Sequence, residues 1–269
     1  MMHTGSRPAQ GVGLQLRGWR QRRRRSQLDL ALDAEISPRH LSFLETGRSR
    51  PSRDMVLRLA EKLDVPLREQ NELLVAAGFA PVFPERPLAD PTLEAARRAI
   101  DLVLKGHEPY PALAIDRHWT LMAANRAVAP LLEGTDRSLH EPPVNVLRLS
   151  LHPGGLAPRI VNIIEWRSHL FERLRRQIDL TVDPTLVELL KELRSYPVPE
   201  AQKAREPPVD YAGVVVPFRL RAEGGELAFF STTTVFGTPI DITLSELAIE
   251  AFFPADEATA NALRHSFRP

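Results

Sequence analysis

Apolar positions along the first eighty residues recur every three or four places, which is the period of amphipathic helices. Leu14, Leu16 and Trp19 begin one stripe, and Leu28, Ala31 and Leu32 carry a second. Leu41 and Leu44 mark a third, and Met55, Val56, Leu59, Ala60 and Leu63 a fourth. A fifth helix is expected from Leu67 to Ala77, closed by Gly78. Local signals punctuate the stripes: Ser26 and Ser52 are good caps, Ser37-Pro38 places a cap before a first-turn proline, and Gly47 suits a helix stop.

The pattern changes after Pro81, Pro84, Pro87 and Pro91, a stretch through which neither helix nor central strand can run. Thr92 to Leu104 reads as a connecting helix. Ala112 to Ile115 and Thr120 to Ala123 read as strands around the turn Asp116-Arg117-His118-Trp119, and Asn125 opens a helix toward Leu132. Leu156 to Ile178 is long and amphipathic, with Ile160, Ile163, Ile164, Phe171, Leu174 and Ile178 on one face and Arg159, Glu172, Arg173 and Arg176 outward. Pro184 starts a helix through Leu193, and Tyr196 to Pro208 is broken by prolines. Strands are expected at Val214 to Leu220, Leu227 to Val235 and Leu244 to Phe253, with a last helix capped by Asp256. These elements imply an all-α head, residues 1–80, a Pro-rich linker, 81–91, and an α+β domain, 92–269, with a small antiparallel sheet covered by helices.

Composition adds exclusions. At 269 residues two domains are the default. No stretch of about 18 apolar residues offers a membrane span, and the first residues lack the apolar run of a signal peptide, so a cytoplasmic protein is expected. The absence of cysteine removes disulfides, thiolate metal sites and cysteine nucleophiles. The eight histidines are scattered without metal-ligand spacing, no nucleophile, phosphate or dinucleotide motif is present, and no cofactor is expected. The net charge of +1 hides an asymmetry: residues 1–84 carry 14 Lys and Arg against 9 Asp and Glu, a net of +5, leaving −4 for the remainder. A basic head on an acidic body fits nucleic-acid binding.

The second and third helices are separated only by Glu35, Ile36 and Ser37, the geometry of a helix-turn-helix. Its second helix would present Arg39, His40, Ser42 and Phe43 to base edges, with Arg48 and Arg50 beyond it for phosphates. Phe43 suits a thymine methyl or the core equally well. Gln27-x-x-Leu30-Ala31, Ser37 and Leu41-Ser42-Phe43-Leu44-Glu45-Thr46-Gly47-Arg48 resemble the XRE family of lambda-type repressors over residues 13–79. That resemblance implies a double-stranded operator as partner and a phosphate-binding, buttressing role for Gln27. It also places Pro38, Arg39 and Phe43 toward bases. The family favours glycine where this chain has Glu35, so a different turn is expected here.

Pro111 to Arg126, with Trp119 and Ala124-Asn125-Arg126-Ala127, and Glu246-Leu247-Ala248-Ile249-Glu250 through Asp256 are similar to the MmyB-like, PAS-like ligand-binding domain. The resemblance implies a small lipophilic ligand, fatty acids being a class bound in that family. Candidate pocket residues are Trp119, Asn125, Ile164, Arg167, Phe171, Phe218, Phe229, Thr232, Thr234 and Phe236. Arg167 lies on the apolar stripe and needs a partner, either an acidic ligand head or a nearby Asp or Glu. A homodimer is expected, because one head covers few base pairs and such heads act on paired half-sites. The competing reading makes the second domain a dimerising or protein-binding module without ligand.

Overall fold

The computed structural model describes residues 11–198, 216–237 and 241–266. It divides into two compact units, the first containing residues up to Arg86 together with the segment ending at Ser245, and the second the remainder.

The first unit holds five helices: α1 (Val12–Arg22), α2 (Gln27–Asp33), α3 (Pro38–Glu45), α4 (Arg53–Lys62) and α5 (Leu67–Ala76). Each start follows its cap. Ser26 and Asp29 form a reciprocal capping box, Ser37 accepts from the His40 N–H, and Ser52 from that of Met55. Leu16, Leu30, Leu41, Leu44, Leu59, Leu63, Leu73 and Leu74 are fully buried in one core. Helix α1 crosses α3 so closely that a Cβ on Gly13 would stand 2.2 Å from the Leu44 carbonyl oxygen. The basic run has structural work of its own. Arg23 donates to the Leu63 and Asp64 carbonyls at 2.8 and 2.7 Å, and Arg25 to that of Lys62 at 3.0 Å, which satisfies the orphan acceptors ending α4.

The Pro-rich stretch is not free chain. Asn71 on α5 donates to the Phe83 carbonyl at 2.7 Å and accepts from the Val82 and Phe83 N–H groups, and Arg68 forks onto Glu85. A short helix, α10 (Ile242–Ser245), belongs to the same unit: the Ile242 N–H reaches the Pro84 carbonyl at 2.9 Å and the Thr243 hydroxyl that of Arg86 at 2.6 Å.

The second unit is built on a five-stranded antiparallel sheet of β1 (Ala112–Ile115), β2 (Leu121–Ala124), β3 (Phe218–Ala222), β4 (Gly225–Val235) and β5 (Ala248–Pro254), in the order β2-β1-β5-β4-β3. One face packs on α7 (Val146–Leu151), α8 (Ile163–Thr181) and α9 (Pro184–Ser195), with Trp166, Leu170, Leu174, Leu189, Phe218 and Phe229 in the shared core. The other face meets α6 (Glu94–Gly106) through Ile100 and Leu104 against Ala112, Ala114, Leu247 and Ile249. Helix α11 (Glu257–Ser266) starts at the Asp256 cap, and its Thr259 hydroxyl accepts from the Ala228 N–H.

Three elements differ from the expectation. The long helix begins at Ile163 rather than Leu156, because residues 160–162 are tied to the β3 edge: the Val161 N–H bonds the Arg219 carbonyl, and the Asn162 amide that of Pro217. Asn125 opens no α-helix; a 3₁₀ turn forms at Ala129–Leu132 instead. The final strand starts at Ala248, its expected first residues, Leu244 and Ser245, being helical. Val214 and Val215, expected in β3, and 199–208 of the second proline stretch lie outside the described residues.

Candidate DNA-reading face and ligand cavity

On the head, α2 and α3 are joined by a turn in which Glu35 adopts φ +56°, so the left-handed geometry expected of glycine is kept by a residue with a side chain. The expected departure in the turn does not occur. Glu45, 2% exposed, ties the three helices: Arg20 on α1 donates to it twice, at 2.6 and 2.9 Å, and the Gln27 amide once, at 2.7 Å. That carboxylate raises the Arg20 pKa, its bonded charge outweighing the burial that opposes it. Gln27 therefore sits as a buttress between α2 and α3, and Ser37 is engaged as the α3 cap. Arg39, Arg48 and Arg50 are exposed, whereas His40, Ser42 and Phe43 are half-buried. The Arg39 and Arg48 guanidinium groups lie 5.4 and 6.0 Å from the Phe43 ring centre. Phe43 is thus a platform beneath two cations, a role between the two anticipated for it.

In the second unit a cavity of about 100 Å³ opens between the sheet and helices α7 and α8, walled almost wholly by apolar side chains. Phe218, Phe229 and Phe252 floor it from the sheet; Trp166 and Leu170 come from α8, and Leu147, Leu149 and Ser150 from α7. Its charged lining residues are Arg173 and Glu250. Glu250, 4% exposed, accepts from both terminal nitrogens of Arg173, at 3.2 and 2.5 Å, and from the Thr233 hydroxyl at 2.7 Å. The same guanidinium lies 4.8 Å from the Trp119 ring centre. Ser150 accepts from the Trp166 indole N–H at 3.0 Å. His169 stacks on Trp166, and burial, followed by the neighbouring Arg173 charge, lowers its pKa.

Of the ten pocket residues expected from the sequence, the structure brings Trp119, Phe218 and Phe229 to the cavity. The others lie off its walls for identifiable reasons. Thr232 and Thr234 have the opposite parity to Phe229 on β4, and pair with Ala251 and Ile249 on the sheet's other face. Phe236 joins the cluster beneath α6. Asn125 is buried but spent on the backbone: it accepts from the Ala112 N–H and donates to the Leu104 and Tyr110 carbonyls. Ile164 is 48% exposed. Arg167 donates to the Leu193, Arg194 and Tyr196 carbonyls and lies 5.1 Å over Phe171, capping the end of α9. Its partners are backbone carbonyls in place of the expected acid, and burial lowers its pKa. Arg173, placed outward by the sequence pattern, faces the cavity instead, because the buried stripe of α8 is Ile163, Trp166, Leu170 and Leu174. Strand parity was the available signal for Thr233, Glu250 and Phe252.

Among the described residues, no cluster of three His, Asp or Glu side chains is arranged to hold a metal, and no helix is long and apolar enough to cross a membrane. A helix-turn-helix family model matches residues 16–70, and the model of the MmyB-like transcription regulator ligand binding domain matches residues 96–265. Among curated proteins, none matches the chain. A DNA-binding head and a ligand-binding domain in one chain make a ligand-responsive, DNA-binding transcription regulator, and the chain belongs to the MmyB-like regulator family.

Proposed function

We propose that the chain binds operator DNA as a homodimer and that occupation of the cavity in the second unit by a small lipophilic ligand changes that binding. The apolar cavity carries the reading: a space walled by aromatic and leucine side chains, with one ion pair and one hydroxyl, suits an acyl-chain ligand. Fatty acids are the class that the family resemblance brings. On the head, Arg39 reads a base edge with His40, Ser42 and Phe43 beside it, Arg48 and Arg50 meet phosphates, and Gln27 and Ser37 hold the reading helix in place. In support of dimerisation, α6 carries Leu102 at 72% and Val103 at 47% exposure. A ligand that favours one arrangement of the dimer would shift the spacing of its two heads, and its differential affinity sets the size of that shift.

Native mass spectrometry of protein purified from its host tests the ligand. The expected result is a co-purifying small lipophilic molecule that raises the unfolding midpoint when added back. Val146→Phe, which fills the cavity from the start of α7, should abolish the rise while leaving the fold intact. A chain that carries no such molecule and responds to none would leave a dimerising module in its place. Light scattering checks the assembly, and a monomer both free and on DNA would overturn it.

A further inference from the structure

We infer that residues 129–143 form a lid over the mouth of the cavity, that Arg159 is the latch holding it shut, and that a ligand enters and leaves there. The inference rests on the reading of the cavity as the ligand site and adds how that site opens.

Most of the cavity is enclosed by elements that cannot part without breaking strand pairing or the core. The sheet side is held by the β4–β5 ladder and the buried Arg173–Glu250 pair, and the α7–α8 side by the Trp166–Ser150 bond within the main core. The remaining walls are of another kind. Leu121 on β2, Leu131, Leu132 and Val146 are half-buried, and Leu131 and Leu132 belong to the 3₁₀ turn Ala129–Leu132. From 129 to 143 no residue is buried, and neither α-helix nor strand forms. A segment with so little buried surface opens at low free energy. Its two ends are fixed: Val128 is 8% exposed, and the Val144 carbonyl accepts from the Leu121 N–H at 2.8 Å.

The ties that hold the segment down are polar. One terminal nitrogen of Arg159 donates to the Leu131 and Glu133 carbonyls at 2.9 and 3.0 Å, and its Nε to the Arg221 carbonyl on β3 at 3.1 Å. The Arg159 carbonyl in turn accepts from the Arg221 N–H at 2.9 Å, so the latch stands on the sheet edge. A guanidinium suits this bridge because its donors form a rigid fork. The second tie runs from the Asp136 N–H to the Gly154 carbonyl at 2.7 Å, where a Cβ on Gly154 would stand 3.1 Å from that of Asp136. Release of the two Arg159 bonds lets Leu131 and Leu132 swing from the wall while the sheet and the buried ion pair stay intact.

The chain has no cysteine, so a single introduced thiol reports the opening. Leu170→Cys places one on the cavity wall, and Leu186→Cys, at a fully buried site in the same core but off those walls, reports unfolding of the whole unit. Reaction of the full chain with methyl methanethiosulfonate, read by mass spectrometry, should be at least tenfold faster at Leu170→Cys than at Leu186→Cys. Arg159→Ala should raise the Leu170→Cys rate about a further tenfold, the worth of one charge-assisted hydrogen bond, and leave the Leu186→Cys rate unchanged. Gly154→Ala, which crowds the lid at Asp136 without touching Arg159, should raise it by a smaller factor. Equal rates at the two sites, or a rise at both with Arg159→Ala, overturn the lid. Dodecanoate should slow the reaction at Leu170→Cys alone; if it slows neither, the lipophilic reading fails while the two rates still decide the lid.

Discussion

Arg39 and Arg48 share one aromatic platform, yet their expected contributions to DNA binding differ in kind. Arg39 projects from the first turn of α3, where a guanidinium can fork onto a guanine edge. Arg39→Ala should lower operator affinity by about 1–3 kcal/mol and relax the preference at one base pair. Arg48 follows Gly47 and the helix end, so Arg48→Ala should weaken all sequences alike and reduce the salt dependence of binding. A mobility-shift series over point-altered operators and several salt concentrations separates the two; equal losses on every operator for Arg39→Ala would misplace the reading helix. The same scale shows where sequence reasoning reaches its end. Arg167 and Arg173 stand on one helix, and the pattern assigned them opposite faces from those they occupy. The error is a rotation of the apolar stripe: a helix whose neighbours are unknown can be turned through a fraction of a turn and still look amphipathic. Only the position of β5 decides that Arg173 meets Glu250.

At the scale of elements, the head was legible because its signals are short-range. Ser26, Ser37-Pro38, Ser52 and Gly47 act within a few residues of themselves, and each helix forms where they place it. The cavity is assembled from residues between Pro111 and Phe252, and strand pairing over such distances leaves no local trace. Parity on β4 was legible and would have separated Phe229 and Thr233 from Thr232 and Thr234. The interhelix turn tests the link between conformation and stability. A non-glycine residue at Glu35 with φ +56° is disfavoured relative to glycine. Glu35→Gly should therefore raise the head's stability by about 0.5–1 kcal/mol, the relief exceeding the extra unfolded-state entropy of glycine, as read by denaturant midpoint. A second junction binds α8, α9 and the β1–β2 turn. Burial alone would raise the Asp183 pKa, but Arg117 and His118 at its carboxylate and the Thr185 N–H hold it well below the usual range. A depressed folded value means that its stabilisation is present above the unfolded pKa of about 4 and is lost as pH falls below it. Asp183→Asn should cost about 1–3 kcal/mol at neutral pH, since it takes an acid partner from the half-buried Arg117 and leaves Glu246 at 3.0 Å, and should flatten the acid limb of the stability curve. An unchanged acid limb would assign that loss to other carboxylates.

For the molecule as a whole, charge and fold divide along the same line. The basic excess lies with the five-helix head, and the acidic remainder with the domain that holds the cavity. The chain itself does not divide so simply. It leaves the head after Arg86, builds most of the second unit, and returns to contribute residues up to Ser245 before leaving again. Ile242, 2% exposed, is part of the head although it is more than a hundred and fifty positions from the nearest helix of that unit in sequence. The proline stretch therefore makes a poor place for scissors. A fragment ending at Arg86 would bare the surface on which Ile242 rests and release the Pro84 and Arg86 carbonyls from their donors. Such a fragment should melt below the head of the intact chain, and a protease nick near residue 88 should leave the two halves joined through the returning segment.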